Sequence, residues 1–514
     1  MPEEFSPPSN RPLADETDPA ADSNLSQPAP SPASAVAHGT KSLALAQVFN
    51  QVTRLVTNIV LARLLVPASF GLVAVAAVVI SFLDQLKDGG TGSAIIQRKE
   101  VPKVLLNTVF ALNVALGVLM AILLAISASP LANLLADQDA TPVLRVFAAI
   151  TFITSLGQVH HAMLRRDLRF KTIAVVSAIG TVAMGVSSIT GASLGMGVWA
   201  LVLGSLVGAC VDTSLVWVTD RWRPGLEVSW SSLQSIWSYS ANLFAGNVLT
   251  FFFSQSDKLL VSRYLGPAPL GIYSMAQRIL SYPLTSIANV VNEVLFPALA
   301  QRQDNIAAMR SGYVRATQVV ALVTFPLMGL ATALSPWVVS FVLGPNWAEL
   351  TPLIWVLAPV GALQSVTASA GGILMAKGRT DSLLKVTTIT SVIVVLAYIL
   401  GLRWGLLGMC VTYAIAVLIT TPLQLLVSFR EVELRVVSYL RGITPLAAYA
   451  CVAGGATWAL AFNVADRVGD LATIAIGIPT YLSVFMTLVL LGRHPAYREA
   501  VATIRIRRSS LNTS

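Results

Sequence analysis

From Ser42 onward the chain alternates long apolar stretches with short polar connections. Each stretch has about the 18–25 residues that an α-helix needs to cross ~30 Å of hydrocarbon. The expected spans are 42–64, 70–87, 104–128, 142–163, 172–191, 196–218, 233–256, 269–297, 313–341, 351–375, 382–401, 406–428, 443–463 and 471–491, about fourteen by that length rule. The connections are too short to hold a water-soluble domain of ordinary size. The pattern predicts an all-α polytopic membrane protein. Every second connection is basic. Lys87, Arg98, Lys99 and Lys103 lie in the first of these, Arg165, Arg166, Arg169 and Lys171 in the next, then Arg221 and Arg223, then Arg302, Arg310 and Arg315. The series continues with Lys377, Arg379 and Lys385, with Arg430, Arg435 and Arg441, and with the tail from Arg493 to Arg508. Intervening connections such as ASPLANLLADQDATP and SPWVVSFVLGPNWAEL carry no base. Lys and Arg near span ends are retained on the cytoplasmic side, so both termini are expected in the cytoplasm, as an even number of spans requires.

The chain also repeats itself. ARLLVPASFG, from Ala62 to Gly71, and SRYLGPAPLG, from Ser262 to Gly271, match at Arg63/Arg263, Leu65/Leu265, Pro67/Pro267, Ala68/Ala268 and Gly71/Gly271. Six spans separate the copies, and an even number returns the chain to the same side. The two halves should therefore be parallel repeats related by an axis along the membrane normal. The expected layout is a disordered cytoplasmic tail over 1–40, a six-helix lobe over 41–218, a cytoplasmic linker over 219–232 and a second six-helix lobe over 233–430. An additional helix pair over 431–492 and a basic cytoplasmic tail over 493–514 complete it, the last two spans falling outside the duplication.

Polar residues inside spans carry the functional signal, because a charged group at mid-helix costs roughly 2.5–3.5 kcal/mol on insertion scales. In the first span Gln47, Asn50, Gln51, Arg54 and Asn58 fall on one helical face. Asn247, Thr250, Ser254 and Lys258 occupy the corresponding places in the seventh span, beside Asp257. In the eighth, Ser274, Arg278, Ser281, Tyr282, Thr285, Asn289, Asn292 and Glu293 form a longer stripe, and Ser81, Asp84, Gln85 and Asp88 a shorter one in the second. These four spans are expected to line one wet cavity. Arg54, near mid-span, and Arg278 are its candidate anion holders, with Gln47, Asn50, Gln51, Asn58, Asn247, Thr250, Tyr282 and Asn289 as hydroxyl-bonding neighbours. Asp257, Glu293 and Asp84 are candidates for ion coupling. The alternative for any single Ser, Thr, Asn or Gln is a hydrogen bond that joins two helices. Arg63 and Arg263, before Pro at span ends, read as interfacial anchors or helix ends, and so does the pair His160-His161.

Composition narrows the classes. Of 514 residues 55% are hydrophobic and 11% charged, against about 25% charged in a soluble domain. Together with a mean hydropathy of +0.72 this excludes a soluble globular protein. The net charge is +9, yet residues 1–40 hold one base, Arg11, against the acids Glu3, Glu4, Asp15, Glu16, Asp18 and Asp22. The rest is more basic still, which suits loops facing anionic lipid. That Pro-, Ser-, Ala- and Asp-rich opening lacks the apolar residues of a core, and its acidic start is not a secretory signal. Cys210, Cys410 and Cys451 lie in apolar runs and lack zinc or disulfide spacing, so they read as small core residues. No ATP-binding loop, H-E-x-x-H or G-x-S-x-G motif is present, and Gly89, Gly90 and Gly92 in KDGGTG lack the Lys-[ST] of a phosphate loop and read as a helix break. Neither an enzyme nor a cofactor or metal site is expected.

ARLLVPASFGLVAV after a polar first span, followed by DGGTGSAIIQRKE, resembles the opening of bacterial polysaccharide exporters of the multidrug/oligosaccharidyl-lipid/polysaccharide superfamily. SQSDKLLVSRYLGPAPLGIYSMAQRILSYPLTSIANVVNEVLFPALAQRQ resembles the start of their second half, as in the Wzx-type flippases. The resemblance covers residues 41–430 in span rhythm and is specific mainly in those two segments. It implies a V-shaped bundle of two six-helix lobes plus two further helices, working by alternating access around a cationic cavity in the bacterial cytoplasmic membrane. The implied substrate is an undecaprenyl-diphosphate-linked oligosaccharide, with membrane lipids, a polysaccharide polymerase and a chain-length regulator as partners and no nucleic acid. Guanidinium groups suit a diphosphate and Asn, Gln, Ser and Tyr suit a sugar chain. A multidrug exporter with an acidic cavity, a lipid II flippase, and a polytopic polymerase or ligase are the alternatives. The last usually needs a substantial outward loop, and none is evident here.

Overall fold

The computed structural model describes residues 32–88, 95, 101–135, 138–229, 250–281 and 305–492. Strands are absent among the described residues, and nine of their helical stretches are long and apolar enough to cross a membrane. The first lobe holds α1 (Pro32–Leu64), α2 (Pro67–Asp88), α3 (Lys103–Leu135), α4 (Ala140–Arg166), α5 (Phe170–Ser193) and α6 (Val198–Thr219). α1 begins inside the segment read as a tail: Pro32 suits the first turn of a helix and the Ala-rich run after it favours the helical state. α1 and α2 are parted where Pro67 disfavours a helical Val66 and starts the next helix. α2 ends at Asp88, immediately before Gly89; the glycines of KDGGTG lie outside the described residues.

The second lobe begins with α7 (250–265) and α8 (267–281), the described parts of the seventh and eighth expected spans. It continues with α9 (Ile306–Val338), a π turn over Val339–Leu343, a 3-10 turn over Pro345–Trp347, α10 (Leu350–Thr367) and α11 (Ala370–Ala376). α12 (Thr380–Gly401) and α13 (Gly405–Arg430) form a helical hairpin, with the Thr412 hydroxyl donating to the carbonyl of Ala397 at 2.7 Å and Tyr398 stacked on Tyr413. α14 (Val436–Leu491) turns back on itself at Gly469, whose φ of 78° lies in the left-handed region that glycine enters without strain. Tyr481 on the returning arm donates to the carbonyl of Ala450 on the first at 3.3 Å. This pair packs along α9 and α10, where the Tyr439 hydroxyl donates to the carbonyl of Val366 at 2.7 Å. Prolines inside α9, α10, α13 and α14 are tolerated because neighbouring helices satisfy the freed backbone groups.

The two copies of the repeat meet each other. A β-carbon at Gly71 would overlap the carbonyl oxygen of Pro267, and one at Gly271 would overlap that of Pro67. This reciprocity is what a two-fold relation between parallel halves produces, and only glycine at both positions lets the backbones approach so closely. Around the crossing a continuous apolar core draws on both lobes, with Leu61, Leu65 and Phe70 from the first and Val261, Leu270 and Trp347 from the second. Trp347 is fully buried, meets Phe70 edge-on at 5.2 Å and donates its ring N–H to the carbonyl of Ala62 at 2.9 Å. Arg63 donates Nε–H to the carbonyl of Val342 at 2.9 Å, and Ser262 donates to that of Leu135. Arg63 thus works as an interlobe clamp, whereas Arg263 lies over the ring of Tyr264.

Of the three cysteines read as core residues, only Cys410 is buried; Cys210 and Cys451 are exposed on helices whose surface is itself apolar. A membrane protein need not bury its apolar side chains in protein, which is why composition alone misplaced them.

Gly71→Ala and Gly271→Ala should each destabilise the folded protein by about 1–3 kcal/mol or more, because the added methyl meets backbone that cannot yield. Gly312→Ala, where a β-carbon meets open space within α9, should be neutral or stabilising. Thermal unfolding of the detergent-solubilised protein checks both.

Candidate functional site

Down the axis of α1 two exposed faces lie opposite each other. Leu45, Val48, Phe49, Val52, Leu55 and Val56 form the apolar one. Gln47 and Arg54, exposed, and Asn50, Gln51 and Asn58, half-buried, form the polar one. The polar face is fixed between the lobes by its neighbours. On one flank Asn50 donates to the hydroxyl of Ser177 on α5 at 2.8 Å, and Thr57 packs over Gly185. On the other, Arg278 of α8 donates to the carbonyl oxygen of the Asn58 side chain at 3.3 Å, across 220 residues of sequence. Arg54 sits on the same face, one turn from Asn58. Asn50 therefore does what the helix-joining alternative describes, whereas Arg54 and Gln47 remain open to the space the stripe faces.

Arg278 also lines a cavity of about 270 Å³ between α2, α7 and α8, together with Lys258, Gln255, Gln277, Ser274 and Ser281. Lys258 donates to the side-chain carbonyl of Gln255 at 2.9 Å. Among the described residues the cavity's charged lining is cationic. Thr250, the first described residue of α7, is exposed. Asn247, Tyr282, Asn289 and Glu293 lie outside the described residues.

Asp257 does not line that cavity. It is buried in the second lobe, where its carboxylate accepts from the Tyr273 hydroxyl at 2.8 Å and from Gln277 at 2.7 Å, while its other oxygen accepts from the backbone N–H of Lys258. Gln277 also donates to Tyr273, closing a three-member network. Among the described residues no cation pairs with this carboxylate. Three donors, a hydroxyl, an amide and a backbone N–H, thus satisfy the carboxylate inside the second lobe.

The first lobe holds polar chemistry that a reading by span and loop overlooks. Lys87, counted with a basic connection, is inside α2 and 2% exposed; it pairs with Asp84 at 2.8 Å and donates to the Thr151 carbonyl and the Thr154 hydroxyl. His160 is not interfacial either. It is fully buried between Trp217 and Trp222, with Nδ1 at 2.9 Å from the Asp220 carboxylate. His161 meets Asp212 of α6 at 2.7 Å. The missed signal was Asp212 itself, a carboxylate in the apolar run VGACVDTSLVW, which by burial cost alone asks for a partner.

The model of a family described as polysaccharide biosynthesis protein matches residues 60–352. The chain is 29% identical over 398 residues to the lipopolysaccharide biosynthesis protein WzxC of Escherichia coli (strain K12), covering 77% of this chain and 81% of that one. It is 30% identical over 305 residues to the succinoglycan biosynthesis transport protein ExoT of Rhizobium meliloti (strain 1021), covering 59% of this chain and 62% of ExoT. The fold is similar to that of the lipid II flippase MurJ in an inward closed conformation, with a TM-score of 0.72 at 14% identity over 89% of this chain and 99% of that one. The matched segment takes in both copies of the repeat and most of the charged interlobe residues, and the chain belongs to the polysaccharide biosynthesis protein family of multi-pass membrane transporters.

Proposed function

We propose that the protein moves a lipid-linked oligosaccharide, carried on undecaprenyl diphosphate, from the cytoplasmic to the outer leaflet for cell-surface or exopolysaccharide synthesis. The observation that carries this reading is the juxtaposition of Arg54 and the Asn58–Arg278 contact on a polar face between repeat-related lobes, beside a cavity that also holds Lys258. Guanidinium groups bind phosphate oxygens bidentately, which suits them to the diphosphate of such a substrate. The polyprenyl tail stays in lipid while the head group crosses between the lobes. The relatives bear names from polysaccharide synthesis, and one is named a transport protein. With both termini in the cytoplasm, the Pro–Gly crossing closes the outer end. Opening that end while closing the other is alternating access. A cationic-drug exporter would need an acidic lumen, but among the described residues the charged groups lining the interlobe cavity are Lys258 and Arg278, while Asp257 is turned into the second lobe.

Arg54→Ala and Arg278→Ala, at unchanged protein level, should each weaken substrate binding by about 10–100-fold, the equivalent of one charge-assisted hydrogen bond of ~1.5–3 kcal/mol. Surface polysaccharide should fall and lipid-linked repeat units should accumulate inside; full export by both variants would overturn the reading.

Asp257 is proposed as the coupling site. Asp257→Asn keeps the shape of the Tyr273–Gln277 network and removes its charge, so flipping in proteoliposomes should lose its response to an imposed proton or sodium gradient. An unchanged response would exclude Asp257 from coupling, and the same measurement on Glu293→Gln tests the other candidate.

A further inference from the structure

A second cavity, of about 630 Å³, lies inside the first lobe between α2, α4 and α6. Ser81 lines both this cavity and the interlobe one that holds Arg278, so the two adjoin along α2. From Ser81 to Lys87 the helix rises about 9 Å. The chemistry changes over that distance. Around Arg278 the charges are cationic. Of the two carboxylates that line the first-lobe cavity, Asp84 pairs with the Lys87 ammonium and Asp212 meets the His161 imidazole.

That matching sets which ligand fits. Two carboxylates in the lining disfavour a diphosphate, and the Lys87 ammonium is already held by one of them. A sugar hydroxyl both donates and accepts, and it needs partners of both kinds. The side chains of Asp84 and Asp212 are 48% and 34% exposed while paired, so carboxylate lone pairs remain turned to the open space. A carboxylate has about four acceptor positions, and each pair uses one of them. Gln85 and Gln158 add amides that donate and accept, and Arg165 adds donors at the exposed end of α4. The volume is within the roughly 300–1,000 Å³ of small-molecule sites.

We infer that this first-lobe cavity is the glycan subsite: it binds the oligosaccharide of the substrate, and Asp212, Gln158 and Gln85 determine which sugars are accepted while Arg278 holds the diphosphate next door. The inference rests on the flippase reading and adds to it a division of labour between two adjoining cavities. Lys87, pinned by Asp84, Thr151 and Thr154, positions Asp84 rather than touching sugar. On α1, Asn50 is engaged with Ser177 and Asn58 with Arg278, which leaves the first lobe as the richer source of hydroxyl partners.

The test uses the full-length protein in detergent and two probes, undecaprenyl diphosphate and the glycan-bearing diphosphate lipid fraction extracted from the source cells. Ligand binding raises the unfolding temperature in proportion to affinity. Wild type should be stabilised by both and more by the glycan-bearing lipid. Gln158→Ala, Gln85→Ala and Asp212→Asn should erase that increment, a loss of tenfold or more in affinity for the glycan-bearing lipid, and keep the response to undecaprenyl diphosphate. Arg278→Ala should lose the response to both. Variants whose unliganded unfolding temperature matches wild type decide the outcome, and Gln85→Ala serves where Asp212→Asn fails to fold. If the first-lobe variants keep the full increment, or wild type shows none, the subsite is overturned while the diphosphate reading stands. If Arg278→Ala responds like wild type, the diphosphate reading itself falls.

Discussion

Two lobes with the same parallel topology can meet tightly only where their backbones are allowed to touch, and the sequence allows it at one place in each copy of its repeat. The carbonyls of Pro67 and Pro267 each occupy the space over the other copy's glycine. Inside a membrane apolar association is weak, because lipid tails are as apolar as leucine, and close packing of small residues takes over. Everything that faces the space between the lobes takes its position from this crossing. α1 and α8 run away from it, and so Asn58 and Arg278 come within hydrogen-bond distance although 220 residues separate them.

Polar groups then sort themselves by what they can reach. Arg54 and Arg278 stand on faces directed between the lobes, Asp257 is sealed behind them with Tyr273 and Gln277, and inside the first lobe Asp84 pairs with Lys87 while Asp212 meets His161. The same rule accounts for His160. It lies at the end of a span, where an interface is the usual environment, but Trp217 and Trp222 close over it and Asp220 provides the partner that burial requires.

The helical architecture was legible in the sequence because bilayer thickness fixes span length and the apolar runs are continuous. The repeat was legible from five identities in ten residues, though its reciprocal contact was not, since no pattern in one copy says that the other lies against it. The α1 stripe followed from helical periodicity. Its division into joining and open residues did not, because Asn50 and Gln47 differ only in whether Ser177 stands opposite. Lys87 was misread because a base at the end of a span looks the same in sequence whether it points to lipid head groups or back toward Thr151. Asp212 was readable and passed over, its pairing with His161 being a contact between helices 51 residues apart.

The seam between the lobes at the Pro–Gly crossing is held by few specific contacts. Three interlobe hydrogen bonds cross it, from Arg63 to Val342, Trp347 to Ala62 and Ser262 to Leu135, together with the Phe70–Trp347 edge contact. At ~1 kcal/mol for each, these specific contacts amount to about 4 kcal/mol. Two guanidinium contacts to a diphosphate provide roughly 3–6 kcal/mol, the same order. A ligand shifts a two-state equilibrium only by the difference in its affinity for the two states. On the proposed reading, if both arginines engage the diphosphate fully only when this end is open, substrate alone tips the seam. If they engage it equally in both states, the seam stays shut and the energy for opening must come from elsewhere, which is the part that charge exchange at Asp257 would have to play.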